Sequence, residues 1–328
     1  MEGVNIMISA RVVADSLSPQ NHRLTSLITV MPRMVLAEFN THRAFSRNSA
    51  SSRAIPFTKM CRSVEETPFV PMRWMKDHRG MQGTEYFDNN DRYELRKMSS
   101  YGATIPMEDK LKEEWLEARN AAVASAKCMH DLGLTKQLVN RVLEPFMYHT
   151  VLVTASEWDN FMHLRDHEAA EIHIQAVARA IKQAMLESTP RELKGGEWHI
   201  PFGDDFEGIG ILSESVTSLE EAKIQVATAR CARLSYMTLG DNPKIDYSKD
   251  IELHDLLLSQ GHMSPFEHCA RAMTDVEYRK YTITRPAPLL VPASFTNKLI
   301  ALENGSIEVQ HGWCRNFRGF VQYRAFLD

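Results

Sequence analysis

Between Leu111 and Gly133 the chain places Leu111, Trp115, Ala118, Ala122, Ser125 and Met129 at alternating intervals of four and three. On an α-helix those intervals bring all six to one side, whereas on a strand they would scatter over both faces. The spacing therefore predicts a long helix closed by Gly133, with an apolar and small-residue stripe that must lie against the core or a second subunit. A run of different character precedes it. Residues 24–30 (LTSLITV) mix β-branched and apolar side chains and read as a strand, after which Pro32 opens a short helix through MVLAEF and a polar loop. Helix and strand signals in one chain fit an α/β (α+β) fold.

Further helices are expected from about Thr135 toward Pro145, over part of 156–165, and from Glu168 to Leu186 ahead of Pro190. Ser218 with Glu221 forms a capping box for a helix to about Arg233, and 251–260 with Gly261 reads as another. Strand-like runs follow at 281–284 and 289–295. Residues 73–105 are charged, glycine-punctuated and without period, the pattern of a long excursion or lid. Glycines 195, 196, 203, 208 and 210 make 191–217 the boundary, dividing the chain into 1–190 and 218–328.

Of 328 residues 44% are hydrophobic, enough for a sizeable core, and the formal charge of −4 gives no field for duplex nucleic acid. The opening residues show neither a leader nor a membrane span, so a cytoplasmic protein is expected. Five dispersed cysteines without CxxC fit reduced thiols.

The chemistry concentrates in THRAFSRNSASSR at 41–53. From Phe39 to Val64 there is no acid, yet Arg43, Arg47, Arg53, Lys59 and Arg62 are present with His42 and several hydroxyls, a composition suited to an anion. The pattern H-R-x-x-S-x-N-x-x-S-x-R resembles the signature loop of flavin-dependent thymidylate synthases, RHRxxSxNxxSxR. Other segments agree: 158–165 (WDNFMHLR) is similar to NFxxLR, 261–268 (GHMSPFEH) to GHxxPFEH, 232–236 (ARLSY) to ARVSF, and 141–145 (RVLEP) to the ARxxLP turn. In that family the ARVSF and GHxxPFEH segments precede the signature, so this chain resembles a circularly permuted member, with 191–217 as the joint and 218–328 completing the same catalytic domain.

The resemblance implies a mixed sheet with a helical bundle, assembled as a homotetramer or other homo-oligomer. It implies reductive methylation of dUMP to dTMP with FAD as cofactor and NADPH and methylenetetrahydrofolate as cosubstrates. By it Arg165 is the catalytic residue, stabilising charge on the uracil ring and binding substrate. His42, Arg43, Asn160, His262 and Ser264 are cofactor contacts, and Glu38, Ser49, Ser51, Ser52, Arg53 and Arg141 bind the nucleotide. Departures from the pattern are Glu38 for a glutamine, Thr41 for the leading arginine, Ser49 for a glutamate and Ala54 for a tyrosine. Glu38 then calls for a compensating cation, Arg53 or Arg324, or else for an exocyclic amine on the base. Arg318, Gln322 and Arg324 of FRGFVQYR are candidates to replace the lost charge and amide.

Alternatives are a flavin- and folate-dependent hydroxymethylase or methylase of another pyrimidine deoxynucleotide, or a silent nucleotide binder. His163, His167 and His173 lack the HExxH or HxxEH arrangement, so no metal site is expected.

Overall fold

The computed structural model describes residues 8–80, 83, 85–95, 104–203, 218–234, 247–286 and 307–328. The fold is mixed α/β. At its centre lies a five-stranded mixed sheet of order β3-β6-β2-β1-β7, made of β1 (Ser9–Leu17), β2 (Arg23–Pro32), β3 (Ser46–Ser49), β6 (Tyr148–Ala155) and β7 (Arg191–Glu192). All its pairings are antiparallel except the short one of β1 with β7. Strands β4 (Arg92–Glu94) and β5 (Thr104–Pro106) form a small hairpin within the excursion. A second sheet joins β8 (Trp198–His199), β9 (Ala270–Ala272) and β14 (Phe320–Gln322), and β10 (Thr282–Pro286) pairs with β11 (Ile307–His311), β12 (Trp313–Cys314) with β13 (Phe317–Arg318).

Each face of the central sheet is covered. On one, α1 (Leu36–Phe39), α5 (Asp159–Arg165) and α6 (Ile172–Glu187) bury Phe39, Phe161, Ile174, Val177 and Ile181 against Leu27, Met31, Val151 and Val153. On the other, α7 (Leu219–Ala232) and α8 (Tyr247–Ser259) bury Ala222, Val226, Ala227, Cys231 and Ile251 against Ala50 and Leu152. The stretch after 218 thus shares a core with the first 190 residues. A third core gathers α2 (Phe57–Glu66), α3 (Met107–Asp131) and α4 (Lys136–Val142), and α9 (Asp275–Lys280) carries a complete capping box from Thr274 and Glu277.

The long helix exists, but its buried face is rotated from the expected stripe. Val123 and Ala126 are buried while Ala118 and Ser125 are exposed. Val123 and Ala126 each follow a stripe residue by one position, about 100° further round the helix. Within the expected polar loop, 46–49 pairs with β6 as an edge strand. The C-terminal stretch forms β13 and β14 and then a 3-10 turn at Tyr323–Phe326. Residues 204–217 of the joint, 235–236 of ARLSY and the run 289–295 lie outside the described residues. Among the described residues no helix is long and apolar enough to cross a membrane.

Candidate functional site

The signature segment begins in a tight turn after α1. Thr41 N–H donates to Glu38 O at 3.1 Å and His42 N–H to Phe39 O at 3.3 Å. Two arginines hold this turn. From one side Arg47 Nη1 donates to Phe39 O and His42 O at 3.3 and 3.4 Å. From the other, Arg165 at the end of α5 gives its Nε–H to His42 Nε2 at 3.0 Å, Nη1 to Glu38 Oε2 at 3.3 Å and Nη2 to Thr41 Oγ1 at 3.4 Å. Glu38 therefore takes its cation from Arg165, not from Arg53 or Arg324. The reason is proximity of α5: Phe161 packs edge-on against Phe39 and Phe45, with ring centroids 5.6 and 5.2 Å apart, and this aromatic contact delivers Arg165 to the turn.

His42 is itself built into that cluster, 6% exposed, edge-on to Phe161 at 4.9 Å. Burial, helped by Arg165 and Arg47, pushes its imidazole down to about 4. Since a guanidinium only donates, His42 Nε2 is the acceptor and the proton of the neutral ring sits on Nδ1. Arg43, next in sequence, is exposed and makes no ion pair among the described residues.

Beyond β3 the chain is tied to α4. Asn140, fully buried, donates from Nδ2 to Ser52 O at 2.7 Å and Ile55 O at 2.9 Å. The Ser52 hydroxyl donates to Glu144 Oε1 at 2.7 Å, and Glu144 Oε2 pairs with Arg33 at 3.3 Å. That hydroxyl is thus committed to a carboxylate and not turned outward to an anion. Asn140 and Glu144 stand at the alanine and leucine positions of ARxxLP, and neither was singled out from the sequence. The residues left for an anion are Arg53 and Arg141, both exposed and without an ion pair among the described residues, with Ser49 exposed and Ser51 half-buried nearby in the chain.

The 3-10 turn Ser264–Glu267 packs against β3. GHMSPFEH and the signature segment are therefore neighbours in one chain, and from the same strand the Asn48 side-chain amide donates to Cys231 O, 183 residues away, at 3.1 Å. Ser264 and His262 are exposed, as is Asn160 in the first turn of α5. His268 is fully buried and ends a chain of short contacts across the sheet: Nδ1 to Thr154 Oγ1 at 2.8 Å, Thr154 to Ser26 at 2.6 Å, Ser26 to His199 Nε2 at 2.9 Å.

The C-terminal residues reach the loop by a different route than expected. Gln322 Nε2 donates to Ser46 Oγ at 3.1 Å and Asn316 Oδ1 at 2.6 Å, while Asn316 Nδ2 donates to Ser46 Oγ and Ala44 O at 3.0 and 3.1 Å. Arg324 pairs with Glu267 at 2.5 Å, and Arg318 lies over the Trp313 ring. None of the three replaces the amide or charge missing at Glu38 and Thr41. Their place is below β3, because β14 pairs with β9 right after the 261–268 turn.

A cleft of about 640 Å³ opens at the opposite end of the sheet, along β1, lined by Arg11, Arg191 and Lys223 among others. It contains none of the motif residues.

No protein-family model matches the chain, and no curated protein matches it. Among solved structures it is similar to a UMP/dUMP methylase, PolB from Streptomyces cacaoi, bound with 5-Br UMP: 16% identity, TM-score 0.39, over 55% of this chain and 89% of that one. The same enzyme bound with 5-Br dUMP gives 14% identity and a TM-score of 0.37, over 55% and 90%. The functional reading rests on the chain's own residues.

Proposed function

We propose that this chain is a permuted enzyme of the flavin-dependent thymidylate synthase type, a homo-oligomer that methylates dUMP with methylenetetrahydrofolate and NADPH. One observation supports it above the rest: segments around Glu38–Ser49, Arg165 and Ser264–Glu267, widely separated in sequence, pack about one turn and one edge strand, with Arg165 held by three side chains of that turn.

The exposed polar residues suit a flavin: Arg43 offers an uncommitted guanidinium to a pyrophosphate, and Asn160 and Ser264 offer amide and hydroxyl groups. Bound FAD would supply the hydride that reduces the transferred one-carbon unit. The protein's own contribution is positional and electrostatic. Arg53 and Arg141 hold the nucleotide phosphate. Arg165, fixed before substrate arrives, keeps two of its five N–H groups free to face a ring oxygen as charge develops during attack by C5, so no side-chain reorganisation is needed at that moment. His42, neutral through the physiological range, accepts from Arg165 without adding a second charge. Hydroxymethylation, which would omit the final reduction, uses the same residues.

The decisive experiment is an anaerobic visible spectrum of the protein loaded with FAD and reduced by NADPH. Reoxidation on adding dUMP and methylenetetrahydrofolate together, with formation of dTMP, is expected. Failure to take up FAD, or reoxidation indifferent to both cosubstrates, would overturn the reading.

A further inference from the structure

Glu38 uses only half of its carboxylate. Oε2 accepts from Arg165 Nη1 at 3.3 Å, whereas Oε1 has no partner among the described residues, and the side chain is 40% exposed. Arg165, 21% exposed at its side chain, spends one N–H on each of His42, Glu38 and Thr41. A guanidinium has five, so two remain. The ion pair, between α1 and the end of α5, therefore holds an uncommitted donor group and an uncommitted acceptor oxygen on partly exposed side chains.

A donor beside an acceptor is complementary to an edge that offers an acceptor beside a donor. Pyrimidine bases carry such an edge: a carbonyl oxygen next to N3–H in uracil, and N3 next to the N4 amine in cytosine. Resting on the pyrimidine-nucleotide reading above, we propose that Glu38 is a specificity-determining residue that accepts a hydrogen bond from the base edge while Arg165 donates to the adjacent acceptor.

The arrangement suits the chemistry of a C5 nucleophile. A carboxylate accepting from N3–H leans electron density into the ring, and the guanidinium stabilises the charge that collects on the neighbouring oxygen. It also gives the second carboxylate oxygen, which the contact with Arg165 leaves free, a role in binding. A base-edge acceptor and a mere anchor for Arg165 differ in what they do to selectivity, because an anchor affects every pyrimidine alike.

The test is competition binding of dUMP, N3-methyl-dUMP and dCMP to the full-length protein and to Glu38→Ala and Glu38→Gln. The wild-type chain is expected to bind dUMP at least tenfold more tightly than N3-methyl-dUMP. In Glu38→Ala that ratio should fall to about twofold or less, and Glu38→Gln, which keeps a carbonyl acceptor, should retain much of it. Preference for dCMP over dUMP that vanishes in Glu38→Ala equally supports base-edge reading and identifies the N4 amine as the donor. Equal binding of all three by the wild type, or full discrimination persisting in Glu38→Ala, overturns the assignment while leaving nucleotide binding intact. Absence of any pyrimidine-nucleotide binding by the wild type overturns both the assignment and the function beneath it.

Discussion

Asn140→Ala tests whether α4 sets the shape of the segment that carries Arg53. Both partners of the Asn140 amide are carbonyl oxygens, Ser52 O at 2.7 Å and Ile55 O at 2.9 Å, so the amino group must face them. Ser52 and Ile55 are themselves buried, and removing the donor strands two carbonyls from which water is largely excluded. At about 1 to 2 kcal/mol each, the loss is about 2 to 4 kcal/mol. Asn140 Oδ1 is buried without a partner, so deleting it returns about 1 kcal/mol and leaves a net loss of about 1 to 3 kcal/mol. Asn140→Asp sharpens the test: it keeps the shape but sets a carboxylate against two carbonyl oxygens, and should destabilise more than alanine does. Urea unfolding midpoints of the three proteins give the stabilities, and dUMP binding by each folded variant reports whether Arg53 and Arg141 have shifted. The reasoning fails if alanine costs less than about 0.5 kcal/mol, or if aspartate is tolerated better than alanine.

Acid should unfold the protein from just below neutrality. His199 and His268 are fully buried and neutral, pushed by burial to about 3 against an ordinary 6.5, so the unfolded chain binds protons that the folded one refuses. Their contribution is intact above pH 6.5 and falls by about 1.4 kcal/mol per histidine per unit as pH drops toward 3, a slope that urea titrations at several pH values should find reduced in His268→Gln. Gly319→Ala should destabilise by about 2 kcal/mol in the same assay, since Gly319 has φ +78° and a Cβ there would lie 2.8 Å from His22 Cβ and Ser18 Oγ. Arg165→Ala should depress turnover more than FAD content, whereas Arg53→Ala should weaken dUMP by about tenfold or more; normal kinetics in both would remove the roles given to them.

How much of this was legible follows from where each element's partners lie. The strand at 23–32 showed because its β-branched run is bounded by Asn21 and a proline. Strand β6, YHTVLVTA, lies inside the sheet between β2 and β3 and was missed. It is buried on both faces, so its side chains do not alternate in polarity, and a short apolar run of that kind is indistinguishable by period from helix. Strand β1 was obscured by a register shift between Val12 and Ala14, which breaks its alternation. The four residues of β3 are polar because Ser46 and Asn48 bond to Gln322 and Cys231, partners no local pattern reveals. Arg165 and Thr41 were each marked by a motif, but the pairing of Glu38 with Arg165 spans 127 residues and depends on the aromatic packing of α5. Sequence could say that Glu38 needed a cation; it could not say which.

Four residues that differ from the motif pattern, Glu38, Thr41, Asn140 and Glu144, fall into two physical units. Glu38 and Thr41 both bind Arg165: a leading arginine at position 41 would set a second guanidinium where a hydroxyl now sits 3.4 Å from Nη2, and the carboxylate at 38 adds charge of the sign Arg165 needs. Asn140 and Glu144 both bind Ser52, and Arg33 neutralises the new carboxylate at 3.3 Å. A chain that had merely lost a function would accumulate polar substitutions independently, and buried ones would be left unpaired at a cost of about 1 to 3 kcal/mol each. Here Glu38, Thr41, Asn140 and Glu144 each meet a partner, and the two units flank the segment that carries Arg53. On the function proposed above, that pairing favours a site re-tuned for its ligand over one falling silent.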